Sequence, residues 1–212
     1  MKNIIFIAPP AAGKGTMSLM LKEKYGYEHI STGDLIRAEI KAGNKELEDI
    51  LSKGNLVSDE IIFAMLKKRL SNIKTAFILD GFPRTINQCY LYSDLCKDLG
   101  IDIGKVIYLK IDKQIAMKRA LGRLTCKSCK KGYNKFFAEM MPKVEGICDN
   151  CGGELEFRSD DNEEAFNHRF DVYLKEVEDI LAYYEKLNLL NVVDVQDKPE
   201  DTFALVEKVI ND

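Results

Sequence analysis

A chain of 212 residues, 46% of them hydrophobic, is long enough to bury one sizeable core, as one domain with inserts or two small ones. Its net charge of -3 exerts no broad pull toward nucleic acid or anionic lipid, so any phosphate binding has to come from a local cluster. No apolar run approaches the ~20 residues of a membrane span, and the first apolar run begins almost at Met1, which leaves no room for a signal peptide and points to the cytoplasm.

Residues 3–7 (NIIFI) form a short continuous apolar run, the pattern of a buried parallel strand, and helical spacing follows over residues 14–25. Residues 31–59 read as largely helical with no strand. TAFILDG (75–81) and KVIYLKI (105–111) predict two further buried strands, each followed by a helical stretch. Residues 124–160, rich in Cys, Gly, Lys and Asn, have little helical period. A long helix is predicted over 161–186, with Phe166, Phe170, Tyr173, Val177, Ile180 and Tyr184 forming one apolar stripe read as core. NVVDV (191–195) is a late strand before a helix over 200–210. Strands alternating with helices imply an α/β fold, a parallel sheet covered on both faces, with 31–59 and 124–160 as inserts.

The first strand runs into "APPAAGKGT", where the phosphate-loop pattern G-x-x-x-x-G-K-[ST] falls on Ala8, Gly13, Lys14 and Gly15. Its first glycine is replaced, Ala11 stands at a second glycine site, and the hydroxyl arrives one step late, at Thr16. The strand-turn-helix context still lets backbone N–H groups from about Ala11 through Ala12, Gly13, Lys14 and Gly15 to Thr16 converge on an anion, with Lys14 reaching the outer phosphates. With no hydroxyl at Gly15, a Mg²⁺ ion has to rely on nucleotide oxygens, water and a carboxylate, for which Asp80 at the end of "FILD" is the natural candidate. Alanine held in a left-handed conformation costs roughly 1–2 kcal/mol, so two such alanines predict a working but weakened loop.

The charged surface is built mostly with lysine, and the arginines are Arg37, Arg69, Arg84, Arg119, Arg123, Arg158 and Arg169. A planar fork suits bidentate phosphate binding, so these few arginines are candidates for anion contacts, Arg69 excepted as an ordinary surface charge.

Cys126, Cys129, Cys148 and Cys151 form two C-x-x-C pairs with the spacing of a zinc ribbon. Four thiolates suit a closed, structural Zn²⁺ site, one per chain, that holds a segment too poor in apolar residues for its own core. Redox dithiols, disulfides and iron are the alternatives. Cys89 and Cys96 read as free thiols buried in a helix, and His29 and His168 carry no ligand pattern. Lys127, Lys130, Lys131, Lys135, Lys143 and Arg158 are balanced by Glu139, Glu145, Asp149, Glu154, Glu156 and Asp160, so the ribbon has no nucleic-acid footprint.

P-x-x-G-K-G-T, STGDLIR (31–37), DGFPRT (80–85) and RSDDNEE (158–164) occur in the order and at the intervals of adenylate kinases, and the resemblance covers essentially the whole chain. It implies a parallel five-stranded core (1–30, 60–123 and 161–212), a monophosphate-binding insert at 31–59 and a mobile lid at 124–160. The implied reaction is MgATP + AMP ⇌ 2 ADP, by a monomer that engages no nucleic acid or membrane. By the same resemblance Arg37 and Arg84 hold the AMP phosphate, Arg123 and Arg158 close on the ATP phosphates, Arg169 bridges near the transferring group and Arg119 stacks on the ATP adenine. Lys14, Arg84, Arg123, Arg158 and Arg169 form the catalytic set, with Arg158 and Arg169 also reaching AMP. Thr32, Gln88 and the backbone of Asn55, Leu56 and Val57 read the AMP adenine, Gly81, Phe82 and Pro83 join the AMP site, and Asp160 and Asp161 pair with lid arginines. Tyr133 is set at the border of the ATP base, with packing on the ribbon as the alternative. In the first knuckle Lys130 stands where the family often has glycine. A kinase for UMP or CMP is the near rival, disfavoured by the long lid and the Thr32 hydroxyl. A GTP-using relative and a weakened nucleotide-binding relative are further alternatives.

Overall fold

A computed structural model of the chain describes residues 1–52, 57–157 and 161–212, with the backbone alone at Leu51 and Ser52. In chain order the elements are β1 (Ile4–Ile7), α1 (Lys14–Tyr25), β2 (Glu28–Ser31), α2 (Thr32–Lys41), α3 (Lys45–Ser52), α4 (Asp59–Leu70), β3 (Phe77–Asp80) and α5 (Ile86–Leu99). They continue with β4 (Lys105–Lys110), α6 (Lys113–Gly122), β5 (Arg123–Cys126), β6 (Gly132–Asn134), β7 (Leu155–Glu156), α7 (Glu163–Lys186), β8 (Leu190–Asp194) and α8 (Pro199–Asn211).

Strands β2-β3-β1-β4-β8 pair in that order, all parallel, into a five-stranded sheet. Side chains alternate across a strand, so one short run feeds both faces. Ile5 and Ile7 of β1 pack with α4, α5 and α7, through Leu66, Tyr92 and Tyr184 among others. Ile4 and Phe6 pack on the opposite face with Met17 and Leu21 of α1 and Phe203 and Val206 of α8. The stripe of α7 behaves as its spacing predicts: Phe166, Phe170, Val177, Ile180 and Tyr184 are buried. Cys89 and Cys96 are free and buried, and burial pushes their thiols up to about 12 and about 11.

Strand β2 was not anticipated. Its sequence, EHIS, buries only Ile30, and as an edge strand it pairs with β3 alone, so neither a continuous apolar run nor a clear alternation marks it. Arg69, read as a surface charge, forms an ion pair with Glu28 of this strand.

Register places the carboxyl ends of the central strands together, with Ser31 beside Asp80 and Phe6 beside both Asp80 and Ile107. The chain leaves β1 toward β2 and leaves β4 toward β8, so connections depart in opposite directions beside β1. Ligands of open parallel sheets bind outside the carboxyl ends at such a point.

A second, antiparallel sheet of order β6-β5-β7 lies within the cysteine-rich segment. It is tied to α6 where Asn134, 2% exposed, donates from Nδ2 to the Arg119 carbonyl at 2.8 Å. A Cβ on Gly122 would lie 2.3 Å from Asn134 Oδ1, so glycine is required at that junction. Among the described residues no helix is long and apolar enough to cross a membrane.

Candidate active site

The loop between β1 and α1 is the floor of a cleft of about 560 Å³. Gly13 caps α1 with φ 98° and no side-chain hydrogen bond, leaving the first amides of the helix without a side-chain partner. A Cβ on Gly13 would meet nothing within 4 Å, so this glycine serves the positive φ alone. Ala11 adopts φ 60°, the left-handed region, whereas Ala8 does not. The expectation of two strained alanines is therefore corrected to one. The Ala11 methyl also packs on Ala116, Ala120, Phe166 and Phe170, so its Cβ has a place in the fold.

Lys14, the first residue of α1, donates from Nζ to the carbonyls of Ala8 at 3.0 Å and Pro9 at 3.2 Å. Burial lowers its pKa to about 8; Asp80 opposes the shift, and Arg84, Arg123 and Arg169 add to it. Burial alone would raise the Asp80 carboxyl, but the His29 hydrogen bond and the charges of Lys14, His29 and Arg84 outweigh it and hold Asp80 below the usual range. His29, to which sequence reading gave no role, lies with Nε2 3.2 Å from Asp80 Oδ2. Gly15 leaves the space beside this carboxylate open, since a Cβ there would sit 3.7 Å from Asp80 Oδ2.

The STGD and DGFPRT segments meet across the strand ends. Ser31 Oγ caps α2 by accepting the Asp34 amide, and Thr32, 3% exposed, donates to the Gly81 carbonyl at 2.8 Å. Gly81 has φ 83°, and a Cβ there would come within 2.8 Å of Thr32 Oγ1 and 3.0 Å of Arg84 Nη2, so both backbone and space demand glycine. Arg84 Nε donates to the Gly81 carbonyl at 2.8 Å. Phe82 is fully buried against Tyr92 and does not line the cleft, whereas Gly81 and Pro83 do.

Arg37, Arg84, Arg119, Arg123 and Arg169 all line the cleft with Lys14, as do Ala11, Ala12, Gly15, Thr16, Thr32, Val57, Gln88 and Tyr133. Arg37 is paired with Asp34, Nη2 to Oδ1 at 2.5 Å. The Arg119 guanidinium donates to the carbonyls of Gln196 and Asp197, lies 5.6 Å from the Phe137 ring centroid, and keeps a buried Nε without a partner. Arg123 and Arg169 both reach Asp161. Tyr133 is 4% exposed in the ribbon, and its hydroxyl lies 3.4 Å from Cys148 Sγ and accepts the Asp149 amide at 2.7 Å. Asn55, Leu56, Arg158 and Asp160 lie outside the described residues. Tyr173, Glu176 and Met140 line the cleft without any sequence signal. Tyr173 and its neighbours Val177 and Ile180 were read as core, and they show that one stripe can cover a sheet and face a cleft.

The four ribbon cysteines bring their sulfurs within 4.8 Å of one another. Cys126–Cys151 and Cys129–Cys148 are separated by 3.5 Å between sulfurs, and all four are free. A tetrahedral S₄ site at Zn–S near 2.3 Å has S···S edges of about 3.8 Å, so the cluster has the size and softness of a zinc site. The two knuckles repeat one turn: Lys130 N donates to the Cys126 carbonyl at 3.1 Å and Gly152 N to the Cys148 carbonyl at 2.9 Å. Lys130 at φ 64° thus holds the left-handed conformation that Gly152 holds at 69° in the second knuckle.

A parallel sheet with an uncapped helix terminus at its switch point, and Lys14 with five arginines lining one cleft among the described residues, defines a phosphate-loop protein built to hold polyanions. The adenylate kinase family model matches residues 6–189, and the chain belongs to that family. It is 41% identical over 214 residues to an adenylate kinase of Thermosipho melanesiensis, covering 99% of this chain and 98% of the relative. It is 43% identical over 193 residues to that of Clostridioides difficile, covering 89% and 88%. To that of Archaeoglobus fulgidus it is 38% identical over 213 residues, covering 98% and 97%. The chain is accordingly a nucleotide-binding transferase of the kinase type.

Proposed function

We propose that the chain catalyses MgATP + AMP ⇌ 2 ADP with the cleft residues in the roles given above. The observation that carries this reading is the convergence of Lys14, Arg37, Arg84, Arg119, Arg123 and Arg169 on one cleft of about 560 Å³. Phosphoryl transfer between two polyanions asks a protein mainly for positioning and for positive charge where charge spreads. The amides from Ala11 to Thr16 and Lys14 hold the donor phosphates, and Arg37 and Arg84 hold the acceptor phosphate. Arg123, Arg158 and Arg169 surround the moving group, and Arg119 and Tyr133 border the donor base. Thr32, Asn55, Leu56, Val57, Gly81, Pro83 and Gln88 form the acceptor side. Residues 31–59 act as the monophosphate-binding insert, 124–160 as the lid, and the remainder as the core.

Asp80, a hard oxygen donor on the cleft floor held ionised by its neighbours, suits Mg²⁺ through water. Bound there, Mg²⁺ would neutralise charge on the phosphate oxygens of ATP. Zn²⁺ fits the four free sulfurs and holds the lid in shape. The chain works as a cytoplasmic monomer. The test is phosphorus NMR of zinc-loaded protein with MgATP and each nucleoside monophosphate in turn. Formation of ADP with AMP far ahead of UMP, CMP and GMP supports the reading, and preference for UMP or CMP overturns it.

A further inference from the structure

Asp59 opens α4 and hydrogen-bonds a residue 29 positions away, Gln88 on α5. Its carboxylate accepts three side-chain donors: Gln88 Nε2 at 2.7 Å on Oδ1, and Asn87 Nδ2 at 2.8 Å and Thr85 Oγ1 at 3.1 Å on Oδ2. The other end of the Gln88 amide is also held, Oε1 accepting the Arg84 backbone N–H at 2.7 Å. Gln88 is 2% exposed and borders the cleft.

A carboxylate only accepts and a backbone N–H only donates, so this pair of contacts admits one orientation of the Gln88 amide. Turning it over would set Oε1 against a carboxylate oxygen and the NH₂ group against an N–H. The amide has two donors and two acceptor sites, and one of each is used internally. One N–H and one lone pair remain, side by side on a buried group at the cleft wall. That pair complements a ring nitrogen acceptor next to an exocyclic amino group, the edge of a 6-aminopurine. It opposes the N–H and carbonyl edge of a 6-oxopurine.

We propose that Asp59 is a positioning and specificity residue: by fixing the Gln88 amide in one orientation, it makes the monophosphate site select 6-aminopurine over 6-oxopurine nucleotides. Asp59 acts through Gln88 without touching the base. The inference rests on the reading that Gln88 faces the acceptor base. An asparagine at position 59 presents either a donor or an acceptor, which removes half of the constraint.

The test compares the ratio of kcat/KM for AMP to that for IMP, with MgATP, in zinc-loaded full-length wild type, Asp59→Asn, Gln88→Ala and Asn87→Ala. Asp59→Asn and Gln88→Ala should each lower the AMP:IMP ratio by roughly tenfold or more. Asn87→Ala, which removes another donor from the same carboxylate, should leave the ratio unchanged. A purely structural role for Asp59 lowers both efficiencies together and keeps the ratio, and that result, with Gln88→Ala lowering it, overturns the inference while sparing the acceptor-site reading. An unchanged ratio in Gln88→Ala removes both. If Asp59→Asn does not fold, Asp59→Ser carries the same comparison.

Discussion

Arg123 grips the Asp161 carboxylate with two nitrogens, Nε to Oδ2 at 2.7 Å and Nη2 to Oδ1 at 2.6 Å, and Arg169 Nη2 reaches the same Oδ1 at 3.5 Å. Arg123 begins β5, and Asp161 precedes the N-cap of α7, so the pair joins the root of the ribbon to the helix that carries Arg169. The side chain of Asp161 is 2% exposed, against 25% for Arg123 and 20% for Arg169. Two arginines lining one cleft repel each other, and the shared buried carboxylate offsets that repulsion and fixes both side chains.

Asp161→Asn should therefore affect both stability and chemistry. Removing one partner of a buried ion pair costs about 3 kcal/mol or more, and the partly exposed arginines reduce this to about 2. Turnover should fall at least about tenfold, because Arg123 and Arg169 lose the carboxylate they share. Urea unfolding and steady-state kinetics read the two effects. Parent-like values in both would show the ion pair to be incidental.

The ribbon's metal is expected to be removable with a measurable penalty. Cys148→Ser should abolish stoichiometric zinc, expected at one per chain, and lower the thermal midpoint, since the sulfurs it disrupts hold a sheet of short strands. Lys130→Gly should act in the opposite sense. It relieves a left-handed lysine at roughly 1 kcal/mol, partly offset by a more flexible unfolded chain. Elemental analysis and melting in chelator separate these cases. A zinc-free protein with an unchanged midpoint would falsify the metal assignment.

How much of this was legible in the sequence depended on distance along the chain. The apolar face of α7 and the cysteine ribbon are local patterns, set by side chains a few residues apart. The His29–Asp80 contact spans 51 positions and the Asp59–Gln88 contact 29, and neither has a periodicity that marks it. Strand β2 was lost for a related reason: with Ile30 alone buried, its conformation comes from pairing with β3. Phe82 went the other way, sitting inside a motif but contributing its ring to the core.

The pKa of Lys14, lowered by burial to about 8, predicts a pH profile. In the free enzyme the ammonium is lost as pH rises through about 8, so kcat/KM for ATP, which reports free-enzyme groups, should decline above that value. Stability has the opposite trend. The unfolded lysine keeps its proton up to about 10.5, so between about 8 and 10.5 the unfolded state binds more protons and this group's contribution to stability rises with pH. An ATP profile flat to pH 10 would show that Lys14 keeps its charge in the cleft.

The two alanines of the phosphate loop should now respond differently to glycine. Ala11 sits at φ 60°, and glycine there relieves roughly 1–2 kcal/mol of left-handed strain. The same change removes a methyl packed on Ala116, Ala120, Phe166 and Phe170, about 0.8 kcal/mol, and loosens the unfolded chain by about 0.4–1 kcal/mol. These nearly cancel, so Ala11→Gly should stay within about 0.5 kcal/mol of the parent and alter ATP efficiency by less than about threefold. Ala8 has no left-handed strain to relieve, and its methyl packs on the cluster of Ile4, Phe6 and Met17. Ala8→Gly should therefore destabilise by about 1 kcal/mol. Chemical denaturation and ATP kinetics on the two single variants decide the matter. A large gain in ATP efficiency at position 11 would mean that the methyl, at the cleft floor, obstructs the phosphates; a gain at position 8 would show that strain is not what glycine relieves in this loop.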